Sequence, residues 1–150
     1  MSQPSAPRQV VLQKVYIKDA SLENPLAPQV FTRGWNPQLD VQVASSLQSL
    51  NADQHQVLLT VTVTAKLEQD VAFLAEVHQA GIFLVQGVAD DAERRRVLGT
   101  ECLSILFPFA REAVAELVQR GGFPQLLLQP IDFTMLYEEH VRRNPAAPPH

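Results

Sequence analysis

The clearest pattern in the chain is an alternation over residues 56–68. Val57, Leu59, Val61, Val63, Ala65 and Leu67 fall on one side, and Gln56, Thr60, Thr62, Thr64, Lys66 and Glu68 on the other, with Leu58 the exception. A period of two in Val and Thr predicts a strand with one buried face. After a polar turn at 68–70, a further strand runs to about residue 85, with Val71, Phe73, Ala75, Val77, Phe83 and Val85 on one face. Leu39-Asp40-Val41-Gln42-Val43 alternates ahead of a polar turn around residues 51–54. Short connections make these three strands an antiparallel meander. Residues 10–19 predict a first strand with both faces partly apolar: Val11, Val15 and Ile17 on one side, Val10, Leu12 and Tyr16 on the other.

No period holds over residues 20–38, which Pro25, Pro28 and Pro37 interrupt. A connection of that length inside a domain is uncommon and often functional. It carries Leu26, Val30, Phe31 and Trp35, more large apolar side chains than a solvated linker needs. The period then changes. Residues 90–98 (DDAERRRVL) begin with acidic groups, as a helix start prefers. Over residues 103–120, Leu106, Phe109, Ala110, Ala113, Leu117 and Val118 recur every three or four residues and predict an amphipathic helix. Pro108 is expected in its first turn or at a break, because an interior proline costs about 3 kcal/mol. Gly121-Gly122 supplies the stop, and Asp132 reads as the N-cap of a last helix over 133–143. Strands first and helices second indicate an α+β fold. The proline-rich ends, residues 1–9 and 144–150, read as flexible tails around a single domain at 10–143.

Charge and chemistry narrow the function. A chain of 150 residues with net charge −4 is a poor candidate for neutralising nucleic-acid phosphates. Cys102 is the only cysteine, so no internal disulfide forms. The N-terminus lacks the apolar run of a signal peptide, and no apolar run approaches a membrane span, which points to a soluble cytoplasmic protein. His55, His78, His140 and His150 are scattered without metal-ligand spacing, and G-x-S-x-G and phosphate-loop motifs are absent. The expectation is a binding protein without enzymatic activity. Asp19, Glu23 and Glu76 are either solvated sheet-face carboxylates or an acidic docking patch, with Leu74 as its apolar contact. Phe31 and Trp35, in the proline-broken connection, point to the lining of a groove.

Seven segments carry a resemblance: VYIKD (15–19), SLENP (21–25), VTVTA (61–65), AFLAEV (72–77), GIF (81–83), ILFPFARE (105–112) and GFPQL (122–126). Together they resemble the SecB family of protein-export chaperones, in its order and nearly its spacing, over roughly residues 10–140. The resemblance implies a four-stranded antiparallel sheet with a long crossover loop after the first strand and C-terminal helices packed beside it. It implies a homotetramer, a dimer of dimers, that binds unfolded preproteins and passes them to the SecA motor, using no nucleotide, metal or other cofactor. Residues matching the family's SecA contacts are Asp19, Glu23, Leu74 and Glu76. Those matching its substrate groove are Phe31, Trp35, Leu39, Val41 and Val43, with Phe107, Phe109 and Met135 beside them. The chain departs from the pattern at Ala75, at Ala80, at residues 88–97 with Arg94, Arg95 and Arg96, and in the tail from Asn144. A SecB-like chaperone dedicated to one client, such as an antitoxin, is the neighbouring reading.

Overall fold

The Val/Thr alternation becomes a central strand. In a computed structural model describing residues 7–143, the strands are β1 (Gln9–Glu23), β2 (Gln38–Ser49), β3 (Gln54–Leu67) and β4 (Asp70–Gln86). They form one antiparallel sheet in the order β1-β4-β3-β2. Hairpins join β2 to β3 and β3 to β4, while the crossover carries the chain from one sheet edge to the other. Every second residue of β3 from Val57 to Leu67 is buried, and Phe73, Ala75, Val77, Phe83 and Val85 of β4 join the same inner face. Each fully buried Val, Leu or Phe contributes about 1.5–3 kcal/mol.

Three helices follow: α1 (Asp91–Gly99), α2 (Glu101–Arg120) and α3 (Phe133–Arg143). Asp90 caps α1 by accepting from the Glu93 amide at 2.8 Å, and Asp132 caps α3 by accepting from the Met135 amide at 3.0 Å. α2 lays Leu106, Ala110, Val114 and Val118 on β4 and β3. It ends where the Gly122 amide returns to the Gln119 carbonyl and the Phe123 amide to the Val118 carbonyl. This paired closure needs a left-handed residue, and Gly122 supplies it at φ +94°.

Four expectations are corrected. Pro108 lies inside α2, not in its first turn. The proline removes the amide partner of the carbonyl four residues back, on Ser104, and both residues are exposed, so the break falls on the solvent side of the helix. β1 continues to Glu23, and β2 runs on through the serine-rich 44–49, where pairing with 55–60 outweighs weak strand propensity. The irregular connection shrinks to residues 24–37 around a short 3₁₀ turn at Gln29–Thr32. Register shifts between Leu12 and Lys14 and between Ile17 and Asp19 break the expected faces of β1. Val10, Leu12, Val15 and Ile17 all pair with inner-face positions of β4.

The two tails, residues 1–9 and 144–150, lie outside the described residues except for 7–9. There Gln9 already starts β1, and the Arg8 guanidinium pairs with Glu101.

Candidate functional site: an open apolar face and an opposed acidic face

The inner sheet face is only partly covered. α2 lies over β4 and β3, which leaves the inner side of edge strand β2 open. Leu39, Val41 and Val43 pair with Ala65, Val63 and Val61, so they point to the apolar side, yet Leu39 and Val41 are 41% and 42% exposed. One end of this open row is an aromatic cluster. Trp35 stacks on Phe73 at 6.2 Å and meets Phe123 at 5.0 Å, and Phe31 meets Phe123 at 5.4 Å. The helix terminator builds this wall: a Cβ on Gly122 would stand 2.8 Å from the Phe31 ring, so only glycine lets the ring lie there. Asn24 Nδ2 donates to the Gly121 carbonyl at 2.9 Å, and Arg33 pairs with Asp70 at 3.1 Å, clipping the crossover at both sides. Phe31 stays half exposed, and Trp35 is half-buried.

At the other end lies a cleft of about 300 Å³ between β2 and α3, bounded by Val43, Leu59, Leu103, Phe133, Leu136 and Tyr137. Tyr137 closes in because Gly99 has no side chain; a Cβ there would stand 2.9 Å from the ring.

The structure gathers Phe31, Trp35, Leu39, Val41 and Val43 along this face and does not bring the other three groove residues to it. Phe107 is buried and meets Phe133 edge-on at 5.8 Å, holding α3 to α2 from within the core. Phe109, two positions on, lies roughly 160° around α2 and is exposed on another side. Met135 is exposed on the side of α3 opposite Phe133 and Tyr137. Leu136 and Tyr137 take the place expected of Met135. The spacing Phe133, Leu136, Tyr137, His140 carried that signal, since it marks one helix face.

The acidic residues gather on the other side of the sheet. The irregularity at Lys18 turns the strand, so that Asp19 pairs with His78, Ser21 with Glu76 and Glu23 with Leu74. Without the extra residue, Asp19 and Glu23 would face the helices. Asp19, Glu23, Leu74 and Glu76 therefore share the outer face. Thr62 Oγ1 donates to Glu76 Oε1 at 2.8 Å, His78 Nε2 lies 3.1 Å from Glu76 Oε2, and Thr60 Oγ1 lies 3.2 Å from His78 Nδ1. The Thr62 hydroxyl, and then His78, hold the Glu76 carboxyl below its ordinary value, so the group stays anionic. Cys102 lies in the core, where burial pushes its thiol up to about 12 and removes nucleophilic character at neutral pH. No helix among the described residues is long and apolar enough to cross a membrane.

Comparison with known proteins identifies the family and agrees with the fold. The family described as "SecB: Preprotein translocase subunit SecB" matches residues 3–144. The protein-export protein SecB of Psychrobacter arcticus is 48% identical over 139 residues, 93% of each chain. That of Hydrogenovibrio crunogenus is 45% identical over 143 residues, 95% of each chain. Among solved structures, a SecB-like chaperone of Mycobacterium tuberculosis, determined with a peptide from an antitoxin, superposes with a TM-score of 0.65. The match covers 81% of this chain and 87% of that one at 16% identity, which is a likeness of fold. With the family matched over nearly the whole chain and relatives close to half identical, this protein belongs to the SecB family of protein-export chaperones.

Proposed function

We propose that this cytoplasmic chaperone holds unfolded preproteins along the open inner face of β2 and presents its outer acidic face to the SecA motor. The observation that carries the reading is the exposed pair Leu39 and Val41, continuous with aromatic rings at one end and, through half-buried Val43, with the α3 cleft at the other. Alternate residues of a strand repeat every 6.6–6.8 Å or so, which matches alternate side chains of an extended client. Burial at roughly 25 cal/mol per Å² is non-directional, so such a row accepts many sequences. As a sheet edge, β2 also offers backbone groups to an extended chain. Each groove is weak alone. A homotetramer, assembled as a dimer of dimers, multiplies the grooves by effective concentration, and exposed Val11, Ile17 and Phe109 offer apolar surface for that assembly. Chemistry on a bound ligand plays no part; neither face needs a cofactor to bind.

The test uses refolding of a secretory precursor. The protein slows it, and Val41→Glu, at a site open enough to keep a carboxylate in water, abolishes most of the effect without unfolding the chaperone. Unchanged slowing by Val41→Glu removes β2 as the groove floor. Glu76→Lys weakens SecA binding and spares the precursor; equal loss of both contradicts two separate faces.

A further inference from the structure

His78 stands two residues from Glu76 on β4, and side chains at that spacing share one face of the sheet. Its Nε2 lies 3.1 Å from Glu76 Oε2, and its Nδ1 lies 3.2 Å from Thr60 Oγ1. A carboxylate only accepts, so Nε2 carries a hydrogen and donates to Glu76. In the neutral ring Nδ1 is then an acceptor, and the Thr60 hydroxyl donates to it. Thr62 Oγ1 donates to the other oxygen, Glu76 Oε1, at 2.8 Å. Both oxygens of the docking carboxylate are thus held from within the sheet, and each keeps a further lone pair for an incoming donor.

The surroundings of the ring are carboxylates and hydroxyls. Asp19 of β1 is the cross-strand neighbour of His78, and Glu23 is that of Leu74. On the β3 side the register neighbours are Thr60 and Thr62, with Ala44 and Gln42 of β2 opposite them. The remaining charges of the face stand further off in register. Asp40 of β2 pairs with Thr64, Lys66 lies at the end of β3, Lys14 pairs with Ile82, and Lys18 sits at the irregularity before Asp19. Among the described residues the other histidines lie elsewhere: His55 is buried on the inner side, and His140 lines the α3 cleft. When the ring takes a second proton, Nδ1 becomes a donor and the Thr60 hydroxyl turns to accept from it. The contact with Glu76 then becomes an ion pair, so the rotation of one hydroxyl lets the network hold either state.

We propose that His78 is a positioning residue of the docking face: neutral, it holds the Glu76 carboxylate for a cationic group of SecA, and protonated, it pairs with that carboxylate itself and weakens docking. This rests on the assignment of the acidic face to SecA. A cation seated on Glu76 repels a second positive charge on the adjacent ring, so SecA binds the neutral form more tightly. By linkage, docking weakens as pH falls through the range in which imidazoles gain a proton. Glu76 stays anionic over that range, because the Thr62 hydroxyl, and then His78, hold its carboxyl below the ordinary value of 4.5. A loss of docking between about pH 7.5 and 5.5 therefore does not come from Glu76.

The experiment measures SecA binding to the full chain at about pH 7.5 and about pH 5.5, at constant ionic strength, for the wild type, His78→Gln and His78→Leu. Glutamine brings an amide donor to the place of Nε2 and does not titrate; leucine removes the donor. At the higher pH, His78→Gln binds as the wild type does and His78→Leu binds roughly two- to fivefold more weakly. On acidification the wild type loses roughly two- to fivefold more affinity than His78→Gln, a comparison in which titration of SecA itself cancels. Precursor binding, on the opposite face, stays equal in all three, so the losses are not misfolding. Equal pH profiles for the wild type and His78→Gln, or His78→Leu at wild-type affinity, would overturn the proposal. If Glu76→Lys loses SecA while those profiles coincide, the docking face stands and only the role of His78 falls. If Glu76→Lys binds SecA undiminished, the docking face falls and the role of His78 with it.

Discussion

Gly122→Ala joins the end of α2 to the wall of the groove, so one substitution tests both. Gly122 sits at φ +94°, a conformation that costs an L-residue about 1–2 kcal/mol. The added Cβ would also stand 2.8 Å and 2.9 Å from Phe31 Cζ and Cε1. Carbon contacts settle at roughly 3.5–4.0 Å, so the Phe31 ring must retreat by about 1 Å. That loosens its 5.4 Å contact with Phe123, a kind of ring pair worth about 0.5–1.5 kcal/mol. The sum is about 2–3 kcal/mol of stability, or a urea midpoint about 1 M lower for an m-value of roughly 2–3 kcal/mol/M, compared at equal protein concentration. Gly34→Ala is the matched control. Nothing lies within 4 Å of its Cβ and its φ lies outside the left-handed region, so the same change there is neutral or stabilises slightly, by up to about 1 kcal/mol. Precursor binding weakens in Gly122→Ala, because Phe31 leaves its place, and holds in Gly34→Ala. A Gly122→Ala midpoint equal to the wild type's would refute the role given to this residue, and a lowered midpoint with undiminished precursor binding would separate the terminator from the groove.

Two titrating groups give further checks. Cys102, with its thiol pushed up from 9.0 to about 12, keeps its proton in the folded state where the unfolded chain loses it. Its contribution to stability is therefore full below pH 9 and is lost as pH climbs from 9 towards 12. A thiol reagent at pH 8 should label the urea-unfolded chain promptly and the native chain only at its opening rate; equal rates would contradict the burial. Glu76 is held below its ordinary value of 4.5, so its contribution is full above pH 4.5 and is lost as pH falls through the lowered folded value. Thr62→Val, which removes the donor and keeps the shape, raises the Glu76 titration seen by NMR; an unmoved titration would show that the hydroxyl does not hold the carboxylate.

The sequence by itself determined much of this protein. Alternation in residues 57–67 and 71–85 was enough to place the inner faces of β3 and β4, because burial on one side of a strand writes itself at every second position. Asp90, Asp132 and Gly122 marked the helix ends, because caps are local chemistry. The aromatic residues of the crossover announced a wall, and the segments shared with the SecB family announced the fold.

Other features were decided only in three dimensions. Two register irregularities in β1 turn Val15 and Ile17 inward and Asp19 and Glu23 outward, against simple alternation, and they exist only because β1 pairs with β4 across the crossover. Phe107 and Phe109 look equivalent in sequence, but one lies under α3 and the other faces away. Met135 is as apolar as Leu136, yet only the latter meets the cleft. His55, Arg94 and Arg95, distant in the chain, line one cleft of about 580 Å³ between the β2–β3 turn and α1. A periodic pattern records which side of its own element is apolar; which neighbour covers that side, and how much of it stays open, depends on contacts between residues distant in the chain.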